Sequence, residues 1–247
     1  MTVRHEPRSQ QRAVDAALIQ SEKLSALGHM VAAIAHEINN PLTTILGQTQ
    51  LVLATSDISP ELRERLAMVS DEAYRAARIV ENLLTFARHA PPERRPCALA
   101  EQLRWVLDLT ARQLEQSGIE VVTQFDPCPI VWLDENQIRQ VLLNLVQNAE
   151  QAMADAPGPR VLAVRLGEAG DHVRIEILDT GPGIPAGALP RIFDPFFTTK
   201  RAGEGTGLGL WVSLTIVEQH GGQLSVENRP EGGAAFVVTL PYRKRAR

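Results

Sequence analysis

The first residues whose types and spacing could do chemistry are His36, Glu37 and Asn40, which lie within one predicted helix. An imidazole with a pKa near ~6.5 is mostly neutral at pH 7, so one ring nitrogen keeps a lone pair that can attack an electrophile. A neighbouring carboxylate can hold the Nδ1 proton and help Nε2 act as the nucleophile. Asn40 lies one helical turn further along and faces the same side. From this segment alone, an ordinary surface histidine is the favoured interpretation.

A second group of polar residues lies in the C-terminal half of the chain. Asn144 and Asn148 are spaced so that both side chains can face one pocket from a predicted helix. Carboxamide oxygens suit Mg²⁺, which prefers oxygen ligands and bridges phosphates. Asp179 ends an apolar strand and precedes a glycine-rich turn, where its carboxylate could accept a hydrogen bond from the amino group of adenine. Each pattern alone is weak, because such residues are also common in turns and on helix surfaces.

A glycine-rich loop runs from Gly203 to Leu210 and opens a helix predicted over Thr206 to His220. Glycines allow the backbone to approach phosphate closely, and the exposed N–H groups at a helix start favour an anion. A dinucleotide-binding Rossmann motif is excluded, because no predicted strand immediately precedes the loop. The loop therefore indicates a phosphate-binding element of another kind.

Two long helices must position His36. The chain from Gln10 to Ala54 contains few helix breakers, and Pro41 should bend it about a turn past His36. Apolar residues recur at gaps of three and four, which is the period of a coiled-coil seam: Leu24, Leu27, Val31, Ile34, Ile38, Ile45 and Val52. His36 lies off this seam and is expected to face solvent.

The second helix follows a turn from Thr55 to Pro60, with Ser59 as the N-cap and Pro60 in the first helical position. It carries a seam of the same period at Leu62, Leu66, Val69, Ala73, Ala76, Val80 and Leu83. Two narrow apolar stripes bury little by themselves, so we expect two hairpins to pair into a four-helix bundle in a homodimer. The alternative is that the helices pack on the rest of the same chain.

Three prolines between His89 and Pro96 predict a domain boundary. Beyond it the pattern predicts helices over Leu99 to Gln116 and Glu135 to Met153, in addition to the helix after the glycine-rich loop. The predicted strands are Ile119 to Phe125, Ile130 to Leu133, Val161 to Leu166, Val173 to Leu178, Gln223 to Glu227 and Ala234 to Leu240. This alternation favours a layered α/β sandwich of antiparallel strands with helices on one face, so the fold class is α+β.

The composition limits the classes of partner. The 247 residues carry a formal net charge of −4, which gives no broad electrostatic reason to expect nucleic acid or an anionic membrane. Cys97 and Cys128 lack the spacing of a zinc site or a disulfide framework, which fits a reducing cytosol. No apolar run approaches the ~18 residues of a membrane span, so we expect a cytoplasmic chain without membrane contact.

The N-terminal motif resembles a known phosphoacceptor sequence. Leu27-Gly28-His29-Met30, followed by Ala35 to Leu42 with the string AHEINNPL, is similar to the phosphoacceptor box of two-component sensor histidine kinases. The resemblance implies that His36 is autophosphorylated and that Glu37 is its acid/base partner. It also implies that Asn40 positions water when the protein acts as a phosphatase on its response regulator. His5, His29, His89, His172 and His220 match no such motif and are interpreted as surface or packing residues.

The C-terminal motifs resemble the ATP-binding domain of the same family. In order, NLVQNA, DTGPGIP, IFDPFFTTK and GEGTGLGL are similar to its N, G1, F and G2 boxes. The resemblance implies the GHKL sandwich shared with gyrase and heat-shock chaperone ATPases, with ATP and Mg²⁺ as cofactors. Asn148 would hold the metal, Asp179 would recognise adenine, and Phe193, Phe196 and Phe197 would belong to a lid over the site. The implied ATP-binding residues are Asn144, Asn148, Asp179, Gly181, Gly183, Lys200, Gly205, Thr206, Gly207, Leu208 and Gly209; for Lys200, a solvated lid lysine is a close alternative.

One position distinguishes members of this superfamily. In the related ATPases a water-activating Glu precedes the metal-binding Asn by four residues, whereas this chain has Asn144, which cannot act as a general base. The resemblance therefore implies transfer of the γ-phosphoryl group to His36 and then to an aspartate of a response regulator receiver domain. The alternatives are an ATP-gated conformational machine without phosphohistidine, and a nucleotide-binding scaffold or dedicated phosphatase.

These interpretations together predict the organisation of the chain. The predicted segments are an N-terminal signal-transmitting helix extension (1–20), a dimerisation and phosphotransfer domain (21–90), a linker (91–98), a catalytic ATP-binding domain (99–242) and a basic tail (243–247). The upstream helix is expected to carry a signal from a missing or separate sensor domain.

Overall fold

The computed structural model describes residues 38, 40–55, 58–87, 92–154, 156–200 and 206–242. The chain divides into two compact units, Met1–Ala90 and Pro91–Arg247, and each is considered by itself. His36, Glu37 and Gly205, like the predicted extension 1–20 and the tail 243–247, lie outside the described residues. Within the described ranges, no helix combines the length and the apolar character needed to cross a bilayer.

The first unit contains a helix α1, described over residues 40–53, and a second helix α2, Pro60–Ala87. The predicted N-cap of α2 is confirmed, because Ser59 Oγ accepts a hydrogen bond from Leu62 N at 3.2 Å. Arg63, in the first turn of α2, donates from Nη1 to Leu53 O at 2.9 Å and so binds a carbonyl at the end of α1. The hairpin turn is thus held by contacts from both sides.

The predicted seam of this unit is only partly covered by the chain itself. Ala73 and Val80 are buried, whereas Ile38, Ile45 and Val52 are 40%, 42% and 38% exposed on α1. These three residues are spaced by seven along the helix and therefore form one continuous apolar stripe. On α2, Leu62 and Val69 are exposed at the same spacing.

The second unit is a mixed α/β domain, which confirms the predicted fold class. Its helices are α3 (Leu99–Gln116), α4 (Glu135–Met153) and α5 (Gly209–Gln219), with one 3₁₀ turn at Leu189–Arg191. Its strands are β1 (Arg95–Cys97), β2 (Glu120–Phe125), β3 (Val131–Leu133), β4 (Val161–Ala169), β5 (His172–Leu178), β6 (Gln223–Asn228) and β7 (Ala234–Pro241).

The main sheet has five strands in the order β2-β4-β5-β7-β6. Alternate residues of β4 and β5 point toward the helices, and Val164, Val173 and Ile175 are fully buried there. Together with apolar side chains of α3, α4 and α5 they form one hydrophobic core. The helices therefore lie on one face of the sheet, as predicted, and the loops at the end of α4 and β5 are fixed to a rigid layer.

The structure differs from the sequence prediction in three elements. The sheet is mixed rather than antiparallel, because β2 pairs with β4 in parallel, with Glu120 opposite Val161. Strand β1 was not predicted: Pro96 lies in its centre, and proline is tolerated there because β1 pairs only with β3. Helix α5 begins at Gly209, three residues later than predicted, because glycines carry no periodic signal that marks a helix start.

Candidate nucleotide-binding site

Asp179 lies immediately after β5 and is only 2% exposed. Its Oδ1 accepts hydrogen bonds from Gly181 N at 2.8 Å and from Ala234 N at 3.2 Å. Burial raises the pKa of this carboxyl, while the two backbone donors and the nearby Arg229 guanidinium oppose that rise. Among the described residues no donor bonds Oδ2, so the second oxygen remains available to a ligand amino group.

The backbone around Asp179 leaves no room for side chains. A Cβ built on Gly233 would lie 2.0 Å from Asp179 O, and one on Gly181 would lie 3.0 Å from Ala152 O in the last turn of α4. Arg229 Nη1 donates to Asp179 O at 2.8 Å. Arg229 and Gly233 were not predicted from the sequence, because both belong to the β6–β7 turn and only the sheet brings that turn to the end of β5.

Gly183 shapes the loop that follows Asp179. Its φ of +75° is in the left-handed region, which glycine adopts without strain. The next residue, Ile184, exchanges two hydrogen bonds with the side chain of Asn228, each of 2.7 Å, through its N–H and its carbonyl. The loop is therefore clamped to the end of β6, and Asn228 is a further supporting residue that no motif indicated.

Asn144 lies on α4 against the first turn of α5. Its Nδ2 donates to Ser213 Oγ at 2.9 Å. A Cβ built on Gly209 would lie 2.4 Å from Asn144 Oδ1, so only glycine permits this approach of the two helices. The structure therefore brings Asn144 and the N-terminus of α5 together, which places backbone N–H groups beside the carboxamide.

The two acidic side chains of α4 are bonded to α3. Glu150 accepts from Gln113 Nε2 at 2.8 Å and from Ser117 Oγ at 2.9 Å. Glu135 accepts from Gln102 Nε2 at 2.6 Å. Both carboxylates thus serve the α3–α4 contact, and α4 presents neutral carboxamides rather than a base on its Asn144 face.

Asn148 lies one turn beyond Asn144 and already faces a cation. Its Oδ1 accepts from Lys200 Nζ at 3.4 Å, and Gln151 Oε1 accepts a shorter hydrogen bond from the same ammonium. Asn148 Oδ1, a neutral oxygen that already faces a positive charge, is a donor that suits Mg²⁺. The residues present therefore fit a magnesium-bound nucleotide, although Gln151 was not predicted.

The segment before α5 is fixed by Gly207 and Phe196. Gly207 has a φ of +66°, and a Cβ there would lie 2.3 Å from the Phe196 carbonyl carbon. Phe196 N donates to Gly207 O at 3.0 Å. Thr206 Oγ1 accepts from Leu208 N at 3.2 Å, and the Leu208 side chain is buried.

The three predicted lid aromatics differ in burial. Phe193 and Phe197 pack against the core of the second unit, whereas Phe196 is 64% exposed and adopts a φ of +65°. A positive φ is unusual for a bulky residue, and the contact with Gly207 holds Phe196 in this conformation. Of the three, Phe196 therefore has the most exposed ring.

The contacts of His220 confirm that it is a packing residue. Its Nδ1 donates to Ile216 O at 2.8 Å, and its Nε2 accepts from Asp134 N at 3.0 Å. Burial lowers the pKa of this imidazole, which favours the neutral form that these bonds require. The ring ties the end of α5 to the start of α4 and so helps to hold the two helices side by side.

Two family models match the chain. The His Kinase A (phospho-acceptor) domain matches residues 26–92, and the histidine kinase-, DNA gyrase B- and HSP90-like ATPase matches residues 133–244. Sensor protein FixL of Bradyrhizobium diazoefficiens is 34% identical over 230 residues, which cover 91% of this chain and 45% of FixL. The chain spans 32% to 48% of the length of the curated relatives reported to match it.

Solved structures show the same similarity. The catalytic domain of histidine kinase ThkA is 34% identical, with a TM-score of 0.54 over 61% of this chain and 96% of that domain. Full-length ShkA in complex with AMPPNP is 27% identical, with a TM-score of 0.70 over 89% of this chain and 47% of ShkA. ThkA in complex with the response regulator TrrA is 29% identical, with a TM-score of 0.63 over 100% of this chain and 70% of that chain.

The phosphoacceptor match, the ATPase match and the site on α4, β5 and α5 agree with one another. The chain belongs to the two-component sensor histidine kinases, a family of ATP-dependent protein kinases, and comprises the domains of their catalytic core.

Proposed function

We propose that the chain binds Mg²⁺-ATP, phosphorylates its own His36 and passes the phosphoryl group to an aspartate of a response regulator. The observation that carries this proposal is the chemistry of α4: its two carboxylates bond residues of α3 and its C-cap, and the positions predicted to face the nucleotide are the carboxamides Asn144 and Asn148. A site without a base beside the phosphates is poorly suited to activate water, so the γ-phosphoryl group is kept for another nucleophile.

Each residue of the site has a distinct role in this proposal. Asp179 accepts a hydrogen bond from the adenine amino group, which discriminates against guanine because guanine presents a carbonyl there. The N-terminus of α5, beginning at Gly209, offers N–H groups to the phosphates. Asn148 would hold Mg²⁺, which when bound supplies neutralisation of phosphate charge. Lys200 is within reach to add a further positive charge.

The phosphoryl transfer itself needs positioning rather than covalent help from the ATP-binding unit. The Nε2 lone pair of His36 forms the P–N bond as the P–O bond to ADP breaks, and Glu37 would hold the Nδ1 proton. Both residues lie outside the described part of the chain, so their roles rest on the motif and on the family match. A response regulator as the partner is supported by the complex of the related ThkA with the response regulator TrrA, and the aspartate acceptor is what the resemblance to the family implies.

A homodimer is part of the same proposal. The exposed stripe of Ile38, Ile45 and Val52 on α1, and of Leu62 and Val69 on α2, has the seven-residue spacing of a helix bundle. A second copy of the chain would cover both stripes.

The test is incubation of the purified protein with radiolabelled ATP and Mg²⁺, beside His36→Gln and Asn148→Ala. We expect a label that is labile in acid and stable in alkali, lost in His36→Gln and reduced at least about tenfold in Asn148→Ala. Label that persists in His36→Gln would contradict the assignment of the nucleophile. ATP binding with rapid phosphate release and no label would favour a conformational ATPase instead.

Regulator phosphatase activity is a second proposed function, favoured by the exposure of Asn40. Asn40 is exposed on α1, and its backbone carbonyl accepts a hydrogen bond from Thr44 Oγ1 at 3.2 Å. We expect Asn40→Ala to reduce regulator dephosphorylation at least about tenfold while His36 labelling is retained. Equal loss of both activities would contradict a specific role for Asn40.

A further inference from the structure

The Lys200 side chain contacts two carboxamide oxygens on α4. Its Nζ donates to Asn148 Oδ1 at 3.4 Å and makes a shorter hydrogen bond to Gln151 Oε1. Asn148 and Gln151 are three residues apart and are therefore neighbours on one helix face. Gln151 belongs to none of the predicted motifs.

The backbone before this contact is held by contacts that do not involve the Lys200 ammonium. Thr198 Oγ1 accepts a hydrogen bond from Lys200 N at 3.1 Å. Phe197 packs against the core, and the Arg191 guanidinium lies 4.5 Å from the centre of its ring. Because these contacts hold the chain, the ammonium can change partners by rotation of the flexible lysine stem.

An ammonium and Mg²⁺ compete for Asn148 Oδ1. Mg²⁺ binds an oxygen ligand at about 2.0–2.1 Å, and a second cation at the Lys200 position would repel it strongly in a half-buried site. Metal coordination at Asn148 therefore requires the ammonium to leave. The phosphates of the nucleotide are the natural new partners, because they carry the opposite charge.

We propose that Gln151 is a positioning residue for nucleotide binding, which holds the Lys200 ammonium beside Asn148 and thereby opposes Mg²⁺ coordination there. The inference rests on the proposed function, since it takes Mg²⁺-ATP as the ligand of the site. Because Gln151 is an exposed neutral side chain, it opposes Mg²⁺ coordination at Asn148 only weakly. Binding of Mg²⁺-ATP thus includes a transfer of Lys200 from Gln151 to phosphate, and the residue at position 151 tunes the metal requirement.

The test is a double-mutant cycle on the full chain with ATP and Mg²⁺ as probes. The readout is the Mg²⁺ concentration that gives half-maximal ATP binding, measured by calorimetry or by competition with a fluorescent ATP analogue. We expect Gln151→Leu to lower this concentration about threefold and Gln151→Glu to raise it about tenfold, because a carboxylate holds the ammonium more firmly. Neither effect should remain in a Lys200→Met background.

Controls separate this inference from a general charge effect and from the proposed function. Gln116→Glu adds the same charge at an exposed position at the end of α3 and should change the Mg²⁺ requirement less than twofold. Equal effects of the Gln151 variants with and without Lys200, or no effect at all, would overturn the inference. Failure of the unsubstituted chain to bind Mg²⁺-ATP would instead overturn the proposed function, whatever the variants show.

Discussion

The two units of this chain cover their apolar residues in different ways. In the second unit Leu145 and Ile175 are fully buried within a core shared by sheet and helices. In the first unit Ile45, Leu51 and Met68 are 42%, 67% and 56% exposed. A helical hairpin with so much exposed apolar surface is stabilised mainly when that surface packs against another protein surface. The comparison teaches that the second unit positions its candidate nucleotide-binding residues through its own contacts, whereas the described helices of the first unit leave apolar residues exposed.

In the proposed reaction, the second unit binds the nucleotide and the first unit carries the phosphoacceptor motif. The second unit holds its binding residues through contacts within the domain, such as Arg229 with Asp179 and Asn228 with Ile184. The unit with the phosphoacceptor motif lacks a comparable core among its described residues. Nucleotide affinity should therefore be independent of assembly, while stability of the helical unit should depend on it.

The largest effect is expected in the self-sufficient unit. Asp179→Asn should weaken ATP binding by more than about 100-fold, because the new amide would turn a donor toward the adenine amino group. The same change should raise Tm by about 2–4 °C at neutral pH, since it removes a buried charge.

The sign of the stability effect follows from the raised pKa of Asp179. A carboxyl whose folded pKa is raised destabilises the fold as pH rises from the unfolded pKa to the folded pKa. The gain in Asp179→Asn is therefore full above the folded pKa and should disappear below the unfolded one. Calorimetric unfolding and ATP titration measure both effects. Undiminished ATP affinity in the variant would remove Asp179 from the adenine site.

The next effect tests the associating unit. Ile45→Lys combined with Val69→Lys should raise the dimer dissociation constant about 100-fold, because each ammonium would have to be buried in the helix interface. Analytical ultracentrifugation measures the change. Gln48→Lys, which adds the same charge at an exposed polar position of α1, is the matched control. ATP affinity should stay unchanged in both proteins. A loss of ATP affinity together with the loss of the dimer would contradict the inference that nucleotide affinity is independent of assembly.

A smaller effect is expected from Gly207→Ala. A methyl group there would meet the Phe196 backbone at 2.3 Å, and the φ of +66° is unfavourable for alanine. We expect about tenfold weaker ATP binding without a change in the dimer constant. Gly187→Ala is a suitable control, since nothing lies within 4 Å of its added Cβ. Unchanged affinity in Gly207→Ala would show that this segment does not contribute to binding.

The smallest effect concerns pH. The affinity for ATP should fall as pH drops toward the raised pKa of Asp179, because protonation removes the charge that attracts the adenine amino group. Titrations from neutral pH into the acid range should show this decline in the unsubstituted chain. Protonation of ATP itself also changes the affinity. The Asp179→Asn variant measures that contribution alone, because it lacks the titrating carboxyl of Asp179. An identical pH profile in both proteins would contradict the prediction.

Much of the fold could be predicted because its signals are local. The helices Leu99–Gln116 and Glu135–Met153 have the bounds that apolar periodicity predicted, and Pro60 begins α2 as its cap indicated. Strand β1 and the parallel pairing of β2 with β4 were missed. Three residues around a proline carry no strand pattern, and the direction of pairing depends on which strand becomes the neighbour in the assembled sheet.

By itself the sequence determined the motifs, their order and the types of their side chains, which predicted a phosphoacceptor helix and an ATP-binding domain. The roles of His36, Glu37 and Asn40 remain predictions of this kind. Only the tertiary structure decided that Arg229 and Asn228 hold Asp179 and the loop that follows it, and that Gln151 shares the Lys200 ammonium with Asn148. These contacts join residues that are about 40 to 50 positions apart. Local propensity cannot specify them, because they depend on how the sheet and the helices pack.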